Sequence, residues 1–353
     1  MKKQQNDRAE SGGGSSSNSL LWGYGLLTIA VLLLSIDALL ILEVSNLGAW
    51  TIMFYRYGLM GITIGSYFVV SELGNSAQKF YDIGYIGTFV GLLWGAAGIT
   101  FTLAILNTHV ANVFILMATN PLFSCLFSYL IYGENIPWRT IITVLVCFTA
   151  VTVIIVFELN TDIDYGWFGN LMALLAVLLT SMYLVIIRGV NRSRKVGHER
   201  EIDFVPCLVV AAILVSVVAL SAGADLDLPS VRNMDIVFLI LQGVVVLSIG
   251  SALLTTATAY VSAPEVSLFM LVDVVLEPIW VWLAGFDTPP YYTIYCGAVV
   301  ISALLINSIL AWYEEKDLAV KVASGEDEVS PLLVPNGGVC GGGERLSTGT
   351  KKI

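Results

Sequence analysis

The sequence predicts an all-α integral membrane protein of ten transmembrane helices, arranged as two inverted five-helix repeats. Three observations carry that expectation. Of the 353 residues, 57% are hydrophobic and only 12% are charged, where a soluble domain has roughly 25% charged residues. Long apolar runs alternate with short polar breaks from Leu20 to Trp312. The stretch from Trp22 to Ser35 (WGYGLLTIAVLLLS) recurs without a gap from Trp167 to Thr180 (WFGNLMALLAVLLT).

A bilayer core of about 30 Å needs roughly 20 helical residues per crossing, and that length sets the expected elements in order. Residues 1–19 are polar and Gly/Ser-rich and read as a disordered cytosolic tail. The apolar run after them is too long for a signal peptide and lacks a cleavage pattern, so the first helix is expected to stay in the protein. The first half, residues 20–157, should cross at about Leu20 to Leu42, Thr51 to Val70, Ile83 to Leu106, Val110 to Ile131 and Ile141 to Phe157. The second half, residues 158–312, should cross at about Trp167 to Ile187, Phe204 to Ala222, Ile236 to Tyr260, Pro264 to Trp282 and Ile294 to Trp312. Residues 313–353 form a second polar, Gly-rich tail, expected to be disordered and cytosolic. An odd number of spans per half makes the second half enter from the opposite face, as in inverted-topology transporters, whose solute site lies near the midplane at the repeat interface.

The basic residues orient this arrangement, because short cytoplasmic loops carry the excess of Lys and Arg. With both termini cytosolic, fifteen of the 17 basic residues fall inside, including the cluster Arg188, Arg192, Arg194, Lys195 and Arg200. Arg232 alone falls outside, and Arg56 lies within a span. The sequon Asn191-Arg192-Ser193 sits on the inner side and is expected to carry no glycan.

Composition also excludes several classes. A net charge of -10 argues against nucleic-acid binding. Four of the five cysteines lie in apolar runs and Cys340 in the Gly-rich tail, so no disulfide framework or metal spacing is present. Intramembrane enzymes need a nucleophile with a base, paired aspartates or a His-rich cluster, and two histidines supply none. Neither a cofactor nor a metal is expected.

Phe54-Tyr55-Arg56-Tyr57 in the second span, Ala118 to Glu134 (ATNPLFSCLFSYLIYGE) in the fourth and Leu276 to Asp287 (LEPIWVWLAGFD) in the ninth resemble the ten-helix EamA type of the drug/metabolite transporter superfamily. The resemblance covers about Leu21 to Asn307. A proline in each half's fourth helix is followed in the family by Gly-Glu, here Gly133-Glu134. The second half departs from this, with Gly285-Phe286-Asp287. The resemblance implies a carrier of a small polar metabolite working by alternating access. An amino acid, an amine or a drug-like solute fits that description, and proton coupling is one mode. The alternatives are an antiporter of nucleotide sugars or other organic solutes in the same superfamily, and a membrane receptor or sensor that transports nothing.

A charge at mid-bilayer costs roughly 2.5 to 3.5 kcal/mol on insertion scales, so polar residues within spans face a cavity or a partner. Asp37 and Arg56 both fall in the outer part of the core, either as a structural ion pair or as an arginine that exchanges Asp37 for an anionic solute. Asp273 and Glu277 stand four apart on one face of the ninth span. Two carboxylates on a dry face do not both ionise cheaply, so one is expected to hold a proton, as a proton-coupled carrier requires. Pro278 beside them removes a helical hydrogen bond. Asn120, before Pro121, occupies the pseudo-symmetric position of Glu277, and Gln242 lies in the outer half of the eighth span. Either amide can bind a solute or join helices. Trp94, Tyr260 and Trp280 are candidate cavity aromatics, with packing or interfacial anchoring as the other reading. Gly91, Gly95 and Gly98 offer small-residue spacing for close helix contact. Phosphate recognition usually recruits several basic side chains, and the spans as drawn hold one.

The C-terminal tail contains Glu328-Val329-Ser330-Pro331-Leu332-Leu333, which resembles the acidic dileucine signal read by clathrin adaptors. Its expected residues are Glu328, Leu332 and Leu333. The expected location is therefore an endosomal, lysosomal, vacuolar or plasma membrane, with the lipid bilayer, a small-molecule substrate, protons and a clathrin adaptor as partners.

Overall fold

The computed structural model describes residues 22–71, 76–133, 138–159, 166–196, 203–226, 232–257, 260, 263–286 and 291–324. Among these residues every regular element is helical. In chain order the helices are α1 (22–34), α2 (Asp37–Glu43), α3 (Ala49–Ser71), α4 (Ser76–Asp82), α5 (Gly84–Asn107), α6 (Val110–Ala118) and α7 (Asn120–Tyr132). They continue as α8 (Trp138–Leu159), α9 (Gly166–Val196), α10 (Cys207–Ser221), α11 (Asn233–Ile240), a π-helical segment (Leu241–Gly250), α12 (Ser251–Ala257), α13 (Ala263–Leu283) and α14 (Tyr291–Ser324). Five described segments are long and apolar enough to cross a membrane: Trp22–Glu43, Gly84–Asn107, Val110–Tyr132, Gly166–Asn191 and Asn233–Ala257. The protein is an all-α, multi-pass membrane protein. The chain divides into two units after Ile309, and the described part of the second is the end of α14 from Leu310 to Ser324.

Small residues let the helices approach, as expected where lipid and side chain are equally apolar and association rests on close packing. A Cβ at Gly91 would sit 2.5 Å from the Cys207 carbonyl oxygen, and one at Gly95 would sit 3.1 Å from that of Ala211. These two glycines therefore seat α5 on α10. Gly98, one turn further, instead receives the phenol of Tyr57 where its own side chain would stand. The glycine spacing read from the sequence thus serves two neighbours.

Apolar side chains gather into separate clusters. One joins α3, α5, α9 and α10 around Met53, Met60, Val90, Tyr183 and Leu208. A second joins α2, α5, α6 and α13 around Ile41, Ala104, Val113, Phe114 and Val274. A third sets α1 against α12 and α13 through Leu27, Leu254 and Val266. The helix exteriors are apolar, with Ile62, Leu130, Ile213 and Leu283 all exposed, and aromatics such as Tyr85, Trp138 and Trp167 stand exposed near helix starts. Both features suit lipid and its interfaces.

Three of the expected spans are interrupted, and each interruption falls beside a polar residue. The first breaks at Ser35–Ile36, so that Asp37 starts α2. The fourth breaks at Thr119, where Pro121 enters the first turn of α7, a position that tolerates a missing N–H. The eighth is π-helical through Gln242, a wider turn often found at functional sites. By contrast, α13 runs unbroken through Pro278.

Candidate functional site

The break between α1 and α2 exposes backbone N–H groups that a continuous helix would consume. The Ala38 N–H donates to Glu277 Oε2 at 3.2 Å. Helix α13 is thereby fastened to the start of α2, with Glu277 only 3% exposed.

Beside this contact, Asp37 is held from two sides. Arg56 Nη2 forms an ion pair with Asp37 Oδ2, and Gln242 Nε2 donates to Asp37 Oδ1 at 2.9 Å and to the Asp37 carbonyl at 3.2 Å. Arg56 Nη1 donates to Thr102 Oγ1 at 3.0 Å, and that hydroxyl donates in turn to the Gly98 carbonyl at 2.8 Å. Arg56 and Gln242 are essentially inaccessible, at 1% and 0% exposure. Gly243 allows this, since a Cβ there would sit 2.8 Å from the Arg56 carbonyl oxygen. Arg56 Nε and Gln242 Oε1 keep no partner among the described residues.

A cavity of about 120 Å³ opens where the three apolar clusters meet. Its polar wall consists of Asp37, Arg56, Asn120, Thr180, Arg188, Asp273 and Glu277, and Trp94, Phe101 and Phe114 line its apolar wall. Three buried polar atoms of the lining residues have no partner among the described residues: Arg56 Nε, Asp273 Oδ1 and Trp94 Nε1. The Trp94 ring itself packs on Tyr183, with centroids 4.7 Å apart.

Asn120 is shared among helices. Ser181 Oγ donates to its Oδ1 at 2.9 Å and Ser124 Oγ donates to the same oxygen at 3.1 Å. The amide therefore ties the start of α7 to α9 while its edge lines the cavity.

The structure brings together Asp37, Arg56, Asn120, Asp273, Glu277 and Trp94, with Gln242 directly behind Asp37. It does not bring Tyr260 or Trp280 to the cavity. Tyr260 follows the end of α12 and is 45% exposed, and Trp280 is 39% exposed. The stripe of α13 that faces the cavity runs through Val266, Met270, Asp273, Val274 and Glu277, and Trp280, one turn beyond Glu277, is not among its lining residues. Glu328, Leu332 and Leu333 lie outside the described residues.

Arg188 is the residue that sequence reasoning placed wrongly. The basic loop after Ile187 is helical instead, with α9 continuing to Val196, and Arg188 lines the cavity. It has no hydrogen bond or ion pair among the described residues. Its signal was available as the spacing Thr180, Leu184, Arg188, one residue per turn along one face.

No curated protein matches the chain. A solved structure described only as "Crystal structure of protein" has a similar fold, with a TM-score of 0.56 and 18% identity over 83% of this chain and 97% of the other. Residues 21–156 match the model described as the EamA-like transporter family. That likeness is consistent with the drug/metabolite transporter superfamily.

Proposed function

We propose that the protein carries a small polar solute across its membrane by alternating access, through ten spans in two inverted repeats, and that Glu277 couples this movement to protons. The observation that carries the reading is the cavity, which combines buried charges with three polar atoms unpartnered among the described residues. A buried polar group without a partner costs about 1 to 3 kcal/mol, and a solute that supplies the missing partner relieves that cost.

Size supports a small solute. The cavity holds about 120 Å³, somewhat below the roughly 150 Å³ of an engineered cavity that admits benzene. A nucleotide sugar is too large for it in this conformation, which disfavours that antiporter reading.

The coupling reading rests on charge. Asp37, Asp273 and Glu277 face Arg56 and Arg188 around one cavity, with the phenol of Tyr57 and the amide of Asn120 beside them. Asp37 is committed to Arg56, and Asp273 and Glu277 have no ion-pair partner among the described residues. Glu277 also touches the break in the first span, so a change in its proton can alter the hinge between α1 and α2. Breaks of this kind form solute and coupling-ion sites in transporters.

The test is uptake from a mixed metabolite pool into proteoliposomes, with and without a pH gradient, for wild type and Glu277→Gln. Glutamine keeps the oxygen that accepts from Ala38 and loses only the proton site. Solute accumulation that follows the gradient in wild type and ignores it in the variant is expected. Gradient-driven uptake that survives the substitution removes the coupling role, and retention of solute without flux makes the protein a receptor.

A further inference from the structure

We propose that Arg188 is the anion subsite of this cavity and that the solute is a small organic monocarboxylate, whose carboxylate pairs with that guanidinium. The inference deepens the carrier reading and rests on it for what crosses the membrane; the subsite itself is a matter of binding.

Two arginines line the cavity, and only one of them is free. Arg56 is 1% exposed, with Nη2 on Asp37 and Nη1 on Thr102. An anion enters there only by displacing Asp37, which Gln242 holds as well. Arg188, by contrast, is partly exposed and makes no hydrogen bond or ion pair among the described residues. Thr180, Leu184 and Arg188 follow one another at intervals of one turn along α9, and all three line the same space. A long basic side chain near the end of a span commonly reaches for the aqueous interface. Here α9 continues past Arg188 to Val196, and the turn that carries Arg188 still belongs to the cavity wall.

The uncharged groups of the wall ask for the same ligand. Asn120 Oδ1 accepts from both Ser181 and Ser124, so its oxygen is occupied, while its Nδ2 has no partner among the described residues. Trp94 Nε1 is a second unengaged donor. Two open neutral donors and one open cation suit a group that only accepts. An ionised carboxylate is such a group, with about four lone-pair sites and no hydrogen to place. Its two oxygens also match the parallel N–H groups of a guanidinium, a fit that a single point charge lacks.

The acids of the wall limit the solute to one negative charge. Asp37 is already paired, and Asp273 and Glu277 stand one turn apart on α13 with no cation among the described residues. A second carboxylate or a phosphate on the solute would meet these acids and find no further free base. A proton that arrives at Glu277 with a monoanion, by contrast, leaves the net charge of the cavity unchanged. The remainder of the solute is short and apolar, because the space is about 120 Å³ and Trp94, Phe101 and Phe114 line it.

The test is titration calorimetry on the purified full-length protein in detergent, with butanoate, butanamide, butylamine and succinate, which share a four-carbon chain. Butanoate should bind about tenfold more tightly than each of the others, the scale of one charge-assisted contact. Arg188→Gln should bring the butanoate Kd to that of butanamide and leave the butanamide Kd unchanged. Five outcomes overturn the proposal: butanoate no tighter than butanamide, succinate as tight as butanoate, no binding of any of the four, a preference that survives Arg188→Gln, or equal weakening of butanoate and butanamide in that variant. The fourth means that Arg188 serves the interface, and the fifth that it only packs. If Arg188→Gln does not fold, Arg188→Lys decides. It keeps the charge and loses the fork, so a butanoate Kd about threefold weaker is expected, and an unchanged one overturns the guanidinium pairing. Calorimetry reads no flux. An Arg188-dependent preference for butanoate without uptake into proteoliposomes removes the carrier reading alone, whereas gradient-driven uptake of another solute by a protein without that preference removes the subsite alone.

Discussion

The two ends of the cavity are built on opposite principles. At the Asp37 end, the carboxylate has both oxygens engaged, by Arg56 and Gln242, and Arg56 also reaches Thr102. At the Arg188 end, a guanidinium faces the same space with no ion pair among the described residues. A group whose bonds are made within the protein is part of its scaffold, whereas one left open in a cavity is available to a ligand. The difference implies that Asp37 and Arg56, the most conspicuous charges in the sequence, hold the helices, whereas the less conspicuous Arg188 stays open to the cavity.

The largest expected effect breaks the scaffold end. Arg56→Met leaves the Asp37 carboxylate buried and without its cation, which should cost about 3 to 5 kcal/mol. Equilibrium unfolding of the detergent-solubilised protein measures it. Asp37→Asn combined with Arg56→Met should recover much of the loss, because the uncompensated charge is gone. A loss below about 1 kcal/mol in Arg56→Met means that the pair is a gate rather than a strut.

The next effect is steric. At Gly98 a Cβ would overlap the Tyr57 phenol, and both residues line the cavity. Gly98→Ala should destabilise by about 1 to 3 kcal/mol, the range for overpacking, and Tyr57→Phe in the same chain should recover part of it. If Gly98→Ala melts like wild type, then Tyr57 rotates freely and the cavity wall is softer than its packing implies.

Much of the architecture was legible in the sequence, for physical reasons. Apolar runs of membrane-crossing length fixed the class, and the scarcity of charge within them made Asp37, Arg56, Asp273 and Glu277 conspicuous. All four line one cavity. The interruptions were less legible. Nothing in the run through Ser35 and Ile36 marks a break, because neither residue is proline or glycine; the tertiary contact from Ala38 to Glu277 sustains it. Pro121 did mark the break at Thr119. Arg188 was misplaced because a cluster of basic residues reads as a loop, yet arginine is a good helix former, and α9 simply continues. Trp280 lies outside the cavity lining because it is a full turn beyond Glu277, the last residue of α13 to reach that space.

The smallest effect sharpens the comparison at the cavity's waist. Ser181 Oγ donates to Asn120 Oδ1, and interhelical hydrogen bonds in membranes average about 0.6 kcal/mol. Ser181→Ala should cost about that much in an unfolding titration, because Ser124 still donates to the same oxygen. If the waist belongs to the scaffold, solute affinity should be unchanged in this variant. If affinity falls while stability barely moves, Ser181 is orienting the Asn120 amide toward the solute. The open, ligand-reading region would then extend from Arg188 past the midpoint of the cavity, leaving only the Asp37–Arg56 pair as strut.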